Sequence, residues 1–294
     1  MRRQFKGIKW LKNSPYFLLY DFYNKNMEIK KAIGNVSIKK TSIKRCNGYY
    51  DLLKRKYIPC KNFDNKIEEE CYQCEICKEL SGFSDCLGCN GKYCKTKSLV
   101  AKEFCNQKHI VYIALFGNDV LKVGTAAEYR KYSRIQEQGA IASMFIAITD
   151  TGKIARFLES YISSLGYTLQ VRSNYKINNL VIDKNENEVI HLLKNEYNEI
   201  RKKLPETLKK YLIEPEINYY KDINDINKTT LIKESSQLSL FGDTSKVKSY
   251  DFYLHPEIIN GIITNVVGSM LIVENQGIHV YDTKKLEGWI IDIE

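Results

Sequence analysis

No stretch of the sequence reaches the roughly 18 apolar residues that a membrane-spanning helix requires, so no membrane association is expected. The first residues, Met1-Arg2-Arg3-Gln4-Phe5-Lys6, are basic but lack the apolar segment that follows them in a secretory signal. The expected compartment is therefore the cytoplasm. Histidine is scarce at four residues. His191, His255 and His279 stand apart from any candidate ligand set and are read as ordinary positions. Wholesale disorder is set aside because 44% of the residues are hydrophobic, enough to bury a core. What the chain has in excess is positive charge. Its 45 Lys and Arg against 35 Asp and Glu leave a formal charge of +10, and a polyanionic partner gains counterion release on meeting such a surface.

The 294 residues suffice for two domains, or one domain with an attached module. Composition divides them into five stretches. Residues 1–45 are β-rich: Phe17 to Tyr23 is a short apolar run, Asn24-Lys25-Asn26 is turn-like, and Met27-Glu28-Ile29 alternates in polarity. Residues 46–108 hold the cysteines and few long apolar runs, so this stretch needs staples in place of a core. Residues 109–213 change character. His109 to Phe116 reads as a buried strand, Gly117-Asn118-Asp119 as a turn, and Val120 to Val123 as its hairpin partner. A charged helix over 127–138 follows, then a third strand over 141–148. A second helix opens at Asp150-Thr151-Gly152 and ends at Gly166, with Ile154, Phe157, Leu158, Tyr161 and Ile162 at helical spacing. Residues 186–204 form an amphipathic helix with Val189, Leu193, Tyr197, Ile200 and Leu204 on its apolar face. Residues 214–249 are polar and read as a linker. Residues 250–294 resemble a small β-meander, which can join the N-terminal strands in one sheet. The expected class is α+β.

Nine cysteines in a reducing compartment point to metal rather than disulfides. Two pairs are knuckles, Cys74-Glu75-Ile76-Cys77 and Cys86-Leu87-Gly88-Cys89. Two intervening residues let both sulfurs reach one tetrahedral ion about 2.3 Å away. Cys46 and Cys60, both in loop contexts, are assigned to the first knuckle. Cys94 and Cys105 are assigned to the second, with His109 as an alternative to Cys105, and Cys71 is left over. Two zinc ions are expected. Both would be structural, because four thiolates leave no open position for a substrate.

The order of Tyr112, Lys122-Val123-Gly124, Arg134 and Glu159 resembles the GIY-YIG nuclease domain. The narrower resemblance is to the DUF2797 family, whose central domain is itself GIY-YIG-like. It is carried by His109 to Ala114, Lys122-Val123-Gly124-Thr125, Arg134 to Ala140 and Glu159, and by Cys46-Asn47-Gly48, Pro59-Cys60 and Gln73-Cys74 with Cys77 ahead of them. It covers roughly residues 45–165. The nuclease resemblance implies that Tyr112 activates water, that Arg134 clamps the phosphate and that Glu159 holds Mg²⁺ or Mn²⁺. Lys122 stands where that pattern has a second tyrosine, and a cation there stabilises phosphate charge rather than acting as the same base. Lys122, Arg130 and Arg134 are the expected nucleic-acid contacts.

Gln237-Leu238-Ser239-Leu240-Phe241 resembles the pentapeptide by which bacterial DNA polymerases and repair enzymes dock on the sliding clamp. In that resemblance Leu240 and Phe241 fill an apolar pocket and Gln237 bonds at its rim. Leu238 belongs to the same motif, whose alternative reading is one more strand of the C-terminal sheet. Three functions are therefore expected: a metal-dependent DNA endonuclease in repair or defence, a non-catalytic DNA- or RNA-binding protein, and an adaptor tethered to the clamp. DNA is the favoured polymer.

Overall fold

The computed structural model describes residues 1–63, 66–220, 225–227, 230–238, 244–248 and 250–294, with the backbone alone over 232–238 and 244–248. The N-terminal part contributes strands β1 (Arg2–Leu11), β2 (Ser14–Asp21), β3 (Asn26–Lys31) and β4 (Gly34–Lys44). Lys12 and Asn13 both have positive φ, which gives the β1–β2 hairpin a two-residue turn whose twist matches its strands. The cysteine-rich stretch holds the short strands β5 (Tyr49–Asp51) and β6 (Lys56–Ile58) and the helices α1 (Glu75–Ser81) and α2 (Leu99–Cys105).

The central part runs β7 (His109–Phe116), β8 (Val120–Ala127), α3 (Lys131–Gln138), β9 (Ala142–Thr149) and α4 (Gly152–Ser164). After it come α5 (Ser173–Asn178), α6 (Glu186–Lys203), α7 (Glu206–Lys209) and β10 (Leu212–Tyr219). The helix starts are local chemistry. The Thr151 hydroxyl accepts the Ile154 N–H at α4, and Asn185 with Glu188 closes a capping box at α6. The remainder is β11 (Ile232–Leu238), β12 (Thr244–Lys248), β13 (Asp251–Tyr253), β14 (Ile258–Val267), β15 (Met270–Glu274), β16 (Ile278–Asp282) and β17 (Trp289–Ile293).

The class is α+β, with several sheets. Both chain ends share one nine-stranded sheet in the order β13-β16-β15-β14-β4-β17-β1-β2-β3. The last strand lies between β4 and β1, with Ile291 opposite Lys40 on one side and Arg3 on the other. Strand alternation sends Leu271 and Val273 of β15 into a core with Phe5, Phe17, Ile38 and Trp289. Met270 and Ile272 face the opposite side, against Ile177, Leu180 and Leu231.

The central sheet has the order β10-β9-β7-β8. All eight residues of β7 are buried, because helices cover both faces. Val111, Ile113 and Leu115 pack on Ala155, Leu158 and Ile162 of α4 and on Val189, Leu193 and Ile200 of α6. Ile110, Tyr112, Ala114 and Phe116 face Ile135 of α3. Most of β10 falls in the stretch read as a linker. Its eight residues give β9 a second partner, with Ile217 opposite Met144 and Tyr219 opposite Ala142. Polar composition concealed this strand, since only one of its faces needs to be apolar. Among the described residues β11 and β12 pair only with each other. Among the described residues no helix is long and apolar enough to cross a membrane.

A strand held between two others cannot lose volume without leaving a cavity. Ile291→Ala, at a fully buried position of β17, is expected to cost about 2–5 kcal/mol, measured by urea unfolding. A loss below about 1 kcal/mol would contradict the central placement of this strand.

Candidate metal centre and basic cavity

The sulfurs of Cys46, Cys60, Cys74 and Cys77 lie within 4.8 Å of one another. Local structure puts them there. Cys46 and Cys60 bracket the β5–β6 hairpin, and Cys74 and Cys77 sit at the N-cap and in the first turns of α1. Gly48 closes the knuckle with φ +70°, and a side chain there would collide with the Ile58 carbonyl, so the tight turn needs glycine. A tetrahedron with 2.3 Å metal–sulfur legs has edges of about 3.8 Å, and Cys60 and Cys74 Sγ are 3.8 Å apart. The backbone N–H groups of Gly48 and Cys74 donate to Cys46 Sγ at 3.3 and 3.2 Å. Four close sulfurs, one of them receiving two N–H bonds, fit one ion such as zinc.

As a bare thiol, Cys60 is pushed up to about 11 by burial, and Cys77 is also raised by burial. An ion would relieve that burial cost, because it binds the thiolate. Four thiolates around a divalent ion leave a surplus of negative charge. Lys6 of β1 stands beside them, buried, with Nζ donating to the Asn47 carbonyl at 3.0 Å and lying over the Tyr20 and Tyr57 rings. Burial pushes its ammonium down to about 7, and the sulfurs of Cys46, Cys60 and Cys77 act in the opposite direction. Sequence reading missed Lys6, because nothing in β1 announces a neighbour some forty residues away.

Cys86, Cys89, Cys94 and Cys105 are arranged differently. Among the described residues they do not gather at ligand spacing as the first four do. They line one cavity of about 340 Å³ instead. His109 lines it too, with Nδ1 2.8 Å from the Gln107 carbonyl. That bond makes Nδ1 the donor and leaves Nε2 as the free acceptor. Nε2 and Cys105 Sγ both lie against Gly152, where an added Cβ would sit 3.1 and 3.3 Å from them. Burial raises Cys86 and Cys105 and lowers His109.

The same cavity is lined by Arg130, Arg134, Lys153 and Arg156 and, among the described residues, by no acidic one. Arg130 is paired with Glu137 at 2.8 Å, and Arg156 with Glu159 at 2.7 Å. Arg134 is exposed, and among the described residues no ion pair engages it. Lys153 and Arg156 were not singled out in the sequence. Arg156 was legible as the helical i−3 neighbour of Glu159, whereas Lys153 acquires its place only from the start of α4.

The four residues aligned with the nuclease pattern sit near this cavity. Tyr112 and Gly124 are directly opposite in the β7–β8 register, as are Ala114 and Lys122, so Tyr112 and Lys122 share the face of α3. A Cβ on Gly124 would overlap the Tyr112 ring, which explains the glycine. Tyr112 is buried, with Gln138 Nε2 donating to its Oη at 2.6 Å, and burial raises its pKa. Lys122 Nζ donates to the Leu169 carbonyl at 2.7 Å. Burial pushes Lys122 down to about 8; Arg134 and Arg156 lower it further and Glu159 opposes them. Those three side chains are thus within electrostatic reach of Lys122, and Arg134 and Glu159 also act on Tyr112. Glu159 itself is buried against Arg156. Of the clamp-like motif, Gln237 and Leu238 end β11, whereas Leu240 and Phe241 lie outside the described residues.

Residues 35–291 match the family model described as "Protein of unknown function (DUF2797)". No curated protein matches the chain, and no solved structure does.

Elemental analysis of the purified protein is expected to find zinc. The Cys74→Ser/Cys77→Ser variant should carry one ion fewer per chain, since two ligands of a single four-sulfur cluster are removed. Equal metal content in both proteins would take these sulfurs out of the ligand set.

Proposed function

The chain belongs to the DUF2797 family, and from that premise we propose that it is a zinc-stapled nucleic-acid-binding protein that grips the phosphate backbone at the basic cavity. The supporting observation is the meeting of Arg130, Arg134, Lys153 and Arg156 on one cavity with no carboxylate among the described residues of its wall. Guanidinium groups match phosphate oxygens two at a time, and among the described residues Arg134 is the cavity guanidinium with no carboxylate to leave. In this reading the central domain is GIY-YIG-like, supported by its order of hairpin, helix, strand and helix. A second zinc belongs to the same reading, held by Cys86, Cys89, Cys94 and Cys105 in the cavity wall, with His109 as an alternative ligand. DNA is the favoured polymer because Gln237 to Phe241 resembles the clamp-docking peptide, which would tether the protein to the sliding clamp.

The burial of Tyr112 and the pairing of Glu159 with Arg156 favour binding over cleavage. A buried phenol with a raised pKa is a poor base at neutral pH, and Glu159 would have to leave Arg156 to meet Mg²⁺ or Mn²⁺. One observation keeps an endonuclease as the second reading. Lys122 is pushed down to about 8, within reach of general-base work.

Arg134→Ala is expected to weaken oligonucleotide binding and to reduce the slope of log affinity against log salt by about one. An unchanged slope would remove Arg134 from the phosphate contacts. For the second reading, plasmid nicking with Mn²⁺ should rise with pH through about 8, because the lysine base is neutral only above its pKa. A Lys122→Met variant should be inactive. Absence of nicking across that pH range would leave binding alone.

A further inference from the structure

We propose that the β5–β6 hairpin is a metal-anchored arm that carries Arg55 to the nucleic-acid backbone beside the basic cavity, so that nucleic-acid affinity depends on metal at Cys46, Cys60, Cys74 and Cys77. This rests on the phosphate-gripping reading of the cavity, and it names a contact and a form of regulation beyond it.

The base of the hairpin is built from the sulfur site. Cys46 precedes it and Cys60 follows it, and Tyr49 of β5 packs on the buried sulfurs. Gly48 donates to Cys46 Sγ, and its carbonyl accepts from Gln73 Nε2 at 2.7 Å. Asn47 N–H donates to the Tyr72 carbonyl at 2.9 Å, one residue before that glutamine. Two three-residue strands cannot hold a hairpin by themselves, so its direction is set at the base.

The tip reaches the cavity. The Asp51 carboxylate accepts the backbone N–H groups of Leu53 and Lys54 at 3.1 and 2.9 Å, which shapes the turn. Leu52 then lines the cavity itself. Arg55, with φ +51°, places its guanidinium over the Tyr129 ring at 3.9 Å from the centroid. Tyr129 is adjacent to Arg130 of the cavity wall, and Tyr50 feels Tyr129, Arg130 and Arg55 together.

Stacking on an aromatic face fixes the guanidinium while leaving its N–H donors free in their own plane. Asp51, the nearest acid in the hairpin, pairs with Lys54 instead. Arg55 is exposed, and among the described residues no carboxylate pairs with it. A stacked, unpaired arginine at the rim of a basic cavity suits a phosphate that spans from the cavity to the arm.

The test is fluorescence anisotropy with a short labelled single-stranded DNA oligonucleotide and the full chain, with zinc content measured on the same samples. Arg55→Ala is expected to weaken binding at least about threefold and to lower the salt slope by about one. Tyr129→Leu, which leaves the charge unchanged, should also weaken binding. Chelator-stripped protein should lose affinity and regain it as zinc is returned. Full affinity in Arg55→Ala or in the stripped chain, with Arg134→Ala still weakened, would overturn the arm and leave the cavity reading intact. Failure of the unaltered protein to bind the oligonucleotide would overturn the cavity reading, and the arm with it.

Discussion

Four sulfurs drawn to one point are the constraint on which the cysteine-rich stretch depends. Its buried apolar cluster consists of Cys46, Cys60 and Cys77, with Tyr49, Ile67 and Cys74 packed around them. So small a cluster does not hold a hairpin, a helix and their connecting loops in one arrangement, whereas a tetrathiolate metal site does. The site is also fastened to the rest of the molecule. The Gln4 side chain on β1 donates to the carbonyls of Arg45, Cys46 and Gly288, and Lys6 on the same strand reaches Asn47. The sulfur cluster thus lies beside β1 and just beyond the end of β4.

That sheet needs both chain ends. β17 fills the gap between β4 and β1, so the N-terminal strands are incomplete until the last residues have arrived. The central domain is held against it by specific bonds. Gln136 of α3 donates to Asn13 at the β1–β2 turn at 2.8 Å, and Tyr250 Oη, just before β13, donates to the Ile177 carbonyl of α5 at 2.6 Å. The helix that presents Arg134 is therefore positioned partly by the N-terminal hairpin. On the other side of the cavity, Gly152 lies against Cys105 Sγ, tying the start of α4 to the cysteine-rich stretch.

The cavity is a place where charge and burial compete. Arg130 and Arg156 are neutralised by Glu137 and Glu159, yet among the described residues no carboxylate neutralises Arg134. In the proposed reading a phosphate there would meet the exposed Arg134 and Lys153 beside Arg156, whose guanidinium is partly desolvated by burial. The desolvation that would make such a site grip an anion also depresses Lys122 and keeps Tyr112 protonated. The same burial thus acts on the chemistry in two directions, bringing Lys122 toward a base and keeping Tyr112 from being one.

Much of this was legible residue by residue. The continuous apolar run His109 to Phe116 marks a strand covered on both faces, the spacing of Ile154, Leu158 and Ile162 marks the helix that covers it, and Cys74-x-x-Cys77 marks a ligand pair. These features are local, set by strand and helix periods and by the reach of adjacent thiols. Other features are set by contacts between residues far apart in the chain. Lys6 beside the sulfurs, Arg55 on Tyr129 and Lys153 in the cavity wall carry no signal in their own neighbourhoods, and β10 looks like linker because its pairing partner supplies the order. The sequence by itself determined the buried strand β7, the helix α4 that covers it and the closeness of Cys74 to Cys77, because each follows from a local period or spacing. Only the tertiary structure decided which charges face one cavity and which are buried, because burial and pairing belong to the packed chain and not to any segment of it.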